Sequence, residues 1–139
     1  MILLDTNVIS ELFKPVPDAG VVDWLATQPA AAVFTTAITR GELLYGVKRM
    51  LEGQRKNTLL RGLNRLFDVR LSGRVLDYDS DAADAYADVA AERRASGRPI
   101  SQSDAMIAGI ARSRGAALAT RNVKDFHDCG IEVIDPWGA

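Results

Sequence analysis

This 139-residue chain has few of the side chains that bind transition metals through nitrogen or sulfur. It carries one cysteine, Cys129, and one histidine, His127. A lone cysteine excludes a disulfide framework within the chain and any multi-cysteine zinc ribbon. A lone histidine excludes the His-Glu-x-x-His zinc motif. Long apolar runs are missing as well. Met1-Ile2-Leu3-Leu4 stops at Asp5 with no basic segment before it, unlike a secretory signal. No stretch approaches the roughly 18 apolar residues of a membrane span. These absences predict a soluble, cytoplasmic protein without a membrane partner. No repeat, linker or low-complexity tract interrupts the sequence, so the expectation is one domain over residues 1–139. A domain near this length buries roughly 70% of the surface its unfolded chain exposes.

The net charge is only −1, from 17 basic and 18 acidic residues, but the charges are segregated. Lys48, Arg49, Arg55, Lys56, Arg61, Arg65, Arg70 and Arg74 crowd one segment against Glu52 and Asp68. Asp77, Asp79, Asp81, Asp84, Asp88 and Glu92 follow with no base among them. Such a pattern fits two solvated helix faces, or a basic footprint for a polyanion. Arginine dominates lysine, which favours bidentate phosphate contact.

Hydrophobic periodicity predicts alternating strands and helices. Ile2–Leu4, Ala32–Phe34, Val75–Leu76, Ala117–Ala119 and Glu132–Ile134 read as short buried strands. Helices are predicted near Asn7–Phe13, from Asp18 to before Pro29, and from Thr35 or Thr36 to about Leu51. Further helices are predicted over Gln54–Phe67, Ser80–Ala95 and Ser101–Ser113. In the third helix, Ile38, Tyr45 and Gly46 are expected on the inward face. The alternation predicts an α/β fold, an α/β/α sandwich around a central parallel sheet.

In open parallel sheets, sites form at the carboxyl ends of strands. Asp5 directly follows the first strand, where it or Thr6 also suits a helix cap. Glu42 is expected on the inward face of the third helix, with Ile38, Thr39, Tyr45 and Gly46 three and four residues away. A carboxylate there has no local basic partner and needs a cation or hydrogen bonds from elsewhere. Asp104 closes the capping box Ser101-Gln102-Ser103-Asp104 but shares a face with Ile107, Ala108 and Ala111. Asp125 lies just past the strand Ala117–Ala119, beside Thr120 and Asn122, where an Asx turn is the ordinary use. Acids gathered from such distant segments repel unless a divalent cation joins them. Oxygen ligands suit Mg²⁺ or Mn²⁺, and the resulting site suits hydrolysis of a phosphodiester.

Met1-Ile-Leu-Leu-Asp5-Thr6-Asn7-Val8-Ile9-Ser10-Glu11-Leu12, Thr39-Arg40-Gly41-Glu42-Leu43-Leu44-Tyr45-Gly46, Asp104-Ala105-Met106-Ile107-Ala108 and Thr120-Arg121-Asn122-Val123-Lys124-Asp125-Phe126 occur in that order. Taken together they resemble the PIN domain, and more narrowly the VapC (FitB-like) toxins of type II toxin–antitoxin pairs. The resemblance covers essentially the whole chain. It implies a Mg²⁺- or Mn²⁺-dependent endoribonuclease whose metal-binding acids are Asp5, Glu42 and Asp104. Thr6 matches the hydroxyl residue beside the first acid. Many PIN domains have an acid two residues after the threonine matched by Thr120; Asn122 stands there, and Asp125 is the next carboxylate. A homodimer and a small antitoxin protein covering the site are further implications.

On this reading the products carry 5′-phosphate and 3′-hydroxyl ends, because water and not a ribose 2′-hydroxyl attacks. Arg55, Arg61 and Arg65 are expected to contact the RNA backbone, with little base information. The alternative is a non-catalytic RNA-binding or scaffold module of the same fold. A haloacid-dehalogenase-like phosphatase, a rival of similar architecture, needs a second aspartate two residues after its nucleophile, where this chain has Asn7.

Overall fold

The structure, a computed structural model, describes residues 1–138. Ile2–Leu4 forms β1, which is apolar throughout because it is covered on both faces of the sheet. It pairs in parallel with β2 (Val33–Thr36) through Ile2 and Leu3, and with β4 (Ala117–Ala119) along its whole length. β3 (Val75–Leu76) adds outside β2, and β5 (Val133–Ile134) outside β4, giving the order β3-β2-β1-β4-β5. The chain thus winds outward on one side of β1 and returns to build the other side. Between β1 and β4 the winding direction reverses, and in such sheets that crevice is where ligands bind.

The helices are α1 (Thr6–Leu12), α2 (Ala19–Ala26), α3 (Ala37–Lys48), α4 (Gln54–Arg65), α5 (Ser80–Ala95) and α6 (Gln102–Arg114). Adjacent strand residues feed opposite cores. Leu3 and Leu118 are wholly buried with Val89, Ile107, Ile110 and Phe126, while Leu4 and Ala119 join Val8, Ile9, Val21, Leu63 and Phe67. α5 and α6 approach closely at Gly109: a Cβ there would lie 2.6 Å from the Ala82 carbonyl and 2.9 Å from the Tyr86 nitrogen. Gly115 ends α6 in the left-handed region, φ 62°, with its N–H bonded to the Ala111 carbonyl.

Departures from the sequence expectations have local causes. The second strand is displaced to Val33–Thr36 because Ala30–Ala32 turn as a 3-10 helix after Pro29. Thr35 is therefore a strand residue, its hydroxyl donating to the Leu4 carbonyl at 2.8 Å, and Thr36 alone caps α3. α3 stops at Lys48, not Leu51, and α4 gives way to a π-helical turn over Leu66–Arg70. The buried stripe of α3 is Thr39, Leu43 and Val47, an i, i+4, i+8 row. Tyr45, expected inward, is 69% exposed. No helix among the described residues is long and apolar enough to cross a membrane.

Candidate active site

The end of β1 hands the chain to α1 through Asp5, which is only 5% exposed. Its carboxylate does two things. Oδ1 accepts from the Thr6 N–H at 2.8 Å, capping α1, and Oδ2 accepts from the Thr120 hydroxyl at 2.8 Å. Thr120 follows β4, so this bond spans the crevice between the two strands. Asn7 completes the span: its Nδ2 donates to Thr120 Oγ1 at 3.2 Å, and its Oδ1 accepts from the Arg121 N–H at 3.2 Å. Backbone adds a further tie, the Asp5 N–H donating to the Ala119 carbonyl at 2.9 Å.

Glu42 reaches the same place from α3, where the Thr6 hydroxyl donates to its Oε1 at 2.9 Å. It is exposed at the rim, and the inward face expected for it belongs to its neighbours Thr39 and Leu43. The reason is the phase of α3, set by its buried row and not by the Ile38–Tyr45 stripe. Asp104 is half-buried near the start of α6, and its N–H donates to the Ser101 hydroxyl at 3.2 Å, so the cap is real. Asp5, Glu42 and Asp104 line one cleft of about 420 Å³, together with Thr6, Asn7, Ser10, Glu11, Lys14, Arg121, Asn122 and Trp137. Asp125 is exposed and stands outside that lining, while Asn122 stands within it.

The acids feel their burial and one another. Burial pushes the Asp5 carboxyl from 3.8 up to about 6, against the pull of the Thr120 hydroxyl and the Thr6 amide; the charges of Asp104 and Glu42 add to the rise. Burial also raises Asp104, opposed by the Ser101 hydroxyl and helped by the charges of Asp125 and Glu42. None of Asp5, Glu42 and Asp104 forms a salt bridge among the described residues. Nor do three His, Cys, Asp or Glu side chains there gather closely enough to hold an ion by themselves.

Several cleft residues are not among the site residues singled out from the sequence, although Glu11 and Arg121 lie within the segments that carry the resemblance. Glu11, on α1, is nearly buried and accepts from Lys14 Nζ at 2.8 Å and from the Asp18 N–H at 3.0 Å. Lys14, followed by the amide, holds its carboxyl below the usual range. Arg121 lies over the Trp137 ring, 5.1 Å from its centroid. The arginines expected to contact RNA diverge. Arg55 lines a groove beside the cleft, Arg65 lines another with Leu12, Phe13 and Arg70, and Arg61 donates to the Thr58 hydroxyl at 3.5 Å.

Behind the site, Arg93 of α5 is buried and has no salt bridge to a carboxylate among the described residues. Its Nε donates to the Arg98 carbonyl at 2.8 Å, and its Nη1 to the carbonyls of Asp125 at 2.8 Å and His127 at 3.1 Å. That fork fixes the loop between β4 and β5, including the 3-10 turn Val123–Phe126.

Residues 2–130 match the PIN domain family. The chain is 40% identical over 137 residues to the VapC ribonuclease Y4jK of Sinorhizobium fredii, covering 99% of this chain and 98% of that one. It is 37% identical over 137 residues to the toxin FitB of Neisseria gonorrhoeae, covering 99% of each. The crystal structure of FitAcB from Neisseria gonorrhoeae superposes with a TM-score of 0.91 at 37% identity over the full length of both chains. Matched over most of its length by the family and over its full length by these relatives, the chain belongs to the PIN domain family, in the branch of the VapC ribonucleases and the toxin FitB.

Proposed function

We propose that this protein is an endoribonuclease, the toxin of a toxin–antitoxin pair, and that it hydrolyses RNA phosphodiester bonds with a divalent cation at Asp5, Glu42 and Asp104. The observation that carries this is one cleft lined by three acids from the end of β1, from α3 and from α6, none with a salt bridge among the described residues and two with raised proton affinity. Left unpaired, such acids cost stability, and a cation relieves the cost. The donor set is oxygen only, which fits Mg²⁺ or Mn²⁺. Since no three acids enclose an ion alone, the fit is to a cation that keeps several waters, as Mg²⁺ does with one or two carboxylates.

A bound divalent cation there supplies charge neutralisation at the scissile phosphate and makes water a stronger nucleophile. The protein's own part is positioning. Thr6 holds Glu42 through its hydroxyl while its amide holds Asp5, so one residue orients two of the three acids. Thr120 fixes the other Asp5 oxygen and is itself oriented by Asn7. Asn122 faces the cleft and supplies a neutral carboxamide where Asp125 does not reach.

RNA is the substrate class, an antitoxin protein the partner, and a homodimer the assembly. The toxin FitB is similar over the full chain, and the FitAcB structure supports a partner of that kind. A groove lined by Phe13, Leu43, Val47, Leu59 and Leu63 shares Ser10 and Lys14 with the cleft, and supports a covering segment that is partly apolar. The test is incubation of the purified protein with tRNA and rRNA, with Mn²⁺ or with EDTA, and chemical mapping of the ends. Cleavage is expected only with metal, leaving 5′-phosphate and 3′-hydroxyl ends, and Asp104→Asn is expected to lower the rate at least about a hundredfold, a loss of some 3 kcal/mol of transition-state stabilisation. Cleavage by Asp104→Asn at the parent rate, or cyclic-phosphate ends, overturns the reading.

A further inference from the structure

The cleft holds a second group of side chains besides the acids. Glu11 pairs with Lys14 at 2.8 Å and feels the charge of Arg121 without a salt bridge to it. That leaves Arg121 as a cation that lines the cleft and has no salt-bridge partner or side-chain hydrogen bond among the described residues. Its guanidinium lies on the face of Trp137. Each member of the pair is held from behind. The Arg121 N–H donates to Asn7 Oδ1 at 3.2 Å, and the Trp137 N–H donates to Asp135 Oδ1 at 2.9 Å. Trp137 is half-buried and packs on the core that contains Val21 and Leu4. A guanidinium stacked on an anchored indole loses little freedom on binding, and its hydrogen-bonding edge stays available.

We infer that Arg121, stacked on Trp137, forms a nucleotide subsite beside the acid cluster, taking a phosphate of single-stranded RNA next to the one that is cut. The inference rests on the ribonuclease reading and deepens it. An RNA strand entering this cleft brings a phosphate at every nucleotide, and the acids repel every one that no cation offsets. Arg121 is the protein's own charge placed to receive the neighbouring phosphate, through two parallel N–H donors. The indole serves as the platform that keeps the fork planar and aimed. Arg121 is therefore a binding residue, and Trp137 a positioning residue.

The test uses the full chain in EDTA with a fluorescent single-stranded RNA oligonucleotide, so that binding is read without cleavage. In a Trp24→Phe background Trp137 is the only tryptophan, and its emission reports on the pair directly. RNA is expected to change that emission on binding. Arg121→Gln should weaken binding on the order of tenfold, the effect of losing hydrogen bonds to a charged group. It should also reduce the slope of log K against log salt by about 0.7, the share of one phosphate on a single strand. Trp137→Phe, which keeps an aromatic platform, should keep the slope and lose only part of the affinity. Arg121→Lys should keep the slope yet fall below the parent in affinity, an outcome that a merely structural role does not produce. A parent that binds and cuts RNA while Arg121→Gln retains its slope and affinity overturns the subsite and leaves the nuclease reading intact. A parent that neither binds nor cuts RNA overturns both.

Discussion

Asp5→Asn should make the metal-free protein more stable at neutral pH and less stable in acid. Burial and its neighbours raise the Asp5 carboxyl from 3.8 to about 6, so the folded state holds the proton more tightly than the unfolded one. Between about pH 4 and pH 6 the native state binds more protons, and stability falls as pH rises through this window. Above it the full penalty is present, roughly 3 kcal/mol, since each tenfold change in proton affinity is worth about 1.36 kcal/mol. Asparagine removes that penalty. It also removes an acceptor, because Asp5 accepts from both the Thr6 amide and the Thr120 hydroxyl, and a carboxamide has only one oxygen. Thr120 Oγ1 already accepts from Asn7 Nδ2 and the Asn122 N–H, so it cannot simply turn to receive a third donor. One unmet donor costs about 1 to 2 kcal/mol. The net expectation in EDTA is a gain of about 1 to 2 kcal/mol at pH 7.5 and a loss of similar size at pH 4. For a chain of this length that is a difference in Tm of about 3 to 8 °C, changing sign between the two conditions. Thermal melting followed by circular dichroism, parent and variant side by side in EDTA from pH 4 to pH 8, measures it directly. A difference that stays constant with pH would falsify the account of Asp5 as a desolvated acid among like charges. In that case its carboxylate serves only as the cap of α1.

Two other changes probe the frame that holds the site. Gly109→Ala should cost about 1 to 3 kcal/mol in urea unfolding despite alanine's better helix propensity, since its Cβ meets the backbone of α5 at Ala82 and Tyr86. A neutral or stabilising result would mean that α5 and α6 part easily. Arg93→Lys keeps the charge but replaces a fork by a point, and cannot serve the Arg98, Asp125 and His127 carbonyls together. It should cost about 2 kcal/mol or more in the same assay, and unchanged stability would show that water meets those carbonyls as well as the guanidinium does.

The sheet is legible in the sequence because three of its strands are short, apolar throughout and stop at a polar residue, Asp5, Asp77 or Thr120. Ile2–Leu4, Val75–Leu76 and Ala117–Ala119 coincide with their expected spans. Thr35 and Thr36 are harder: a buried threonine whose hydroxyl meets a carbonyl on the neighbouring strand looks, in sequence, like the cap that only its neighbour is. The phase of α3 is misleading because Ile38 and Tyr45 outweigh Thr39 in hydrophobicity. Yet Thr39 is the buried one, close to Thr6 Oγ1 at 3.3 Å. Asp5, Glu42 and Asp104 can be singled out since each breaks an apolar pattern or follows a strand. Lys14 and Trp137 give no such sign, and Arg121, though just past β4, reads as an ordinary loop base. They come from the loop after α1, the end of β4 and the end of the chain, and only the parallel winding of the sheet brings them to one cleft.

The buried fork of Arg93 has a consequence for the order in which this region takes shape. The carbonyls of Asp125 and His127 find a side chain from α5 where a strand or helix would ordinarily supply an amide. The loop beside Asn122 therefore has little local cooperativity of its own, and stays ordered while α5 stays docked. In native-state hydrogen exchange its protected amides, such as the Asp125 N–H bonded to the Asn122 carbonyl, should open together with α5 and α6 and not with the strands on either side. The same dependence carries over to folding: the fork joins residues 32 apart, so this corner of the cleft takes its shape only once α5 is in place.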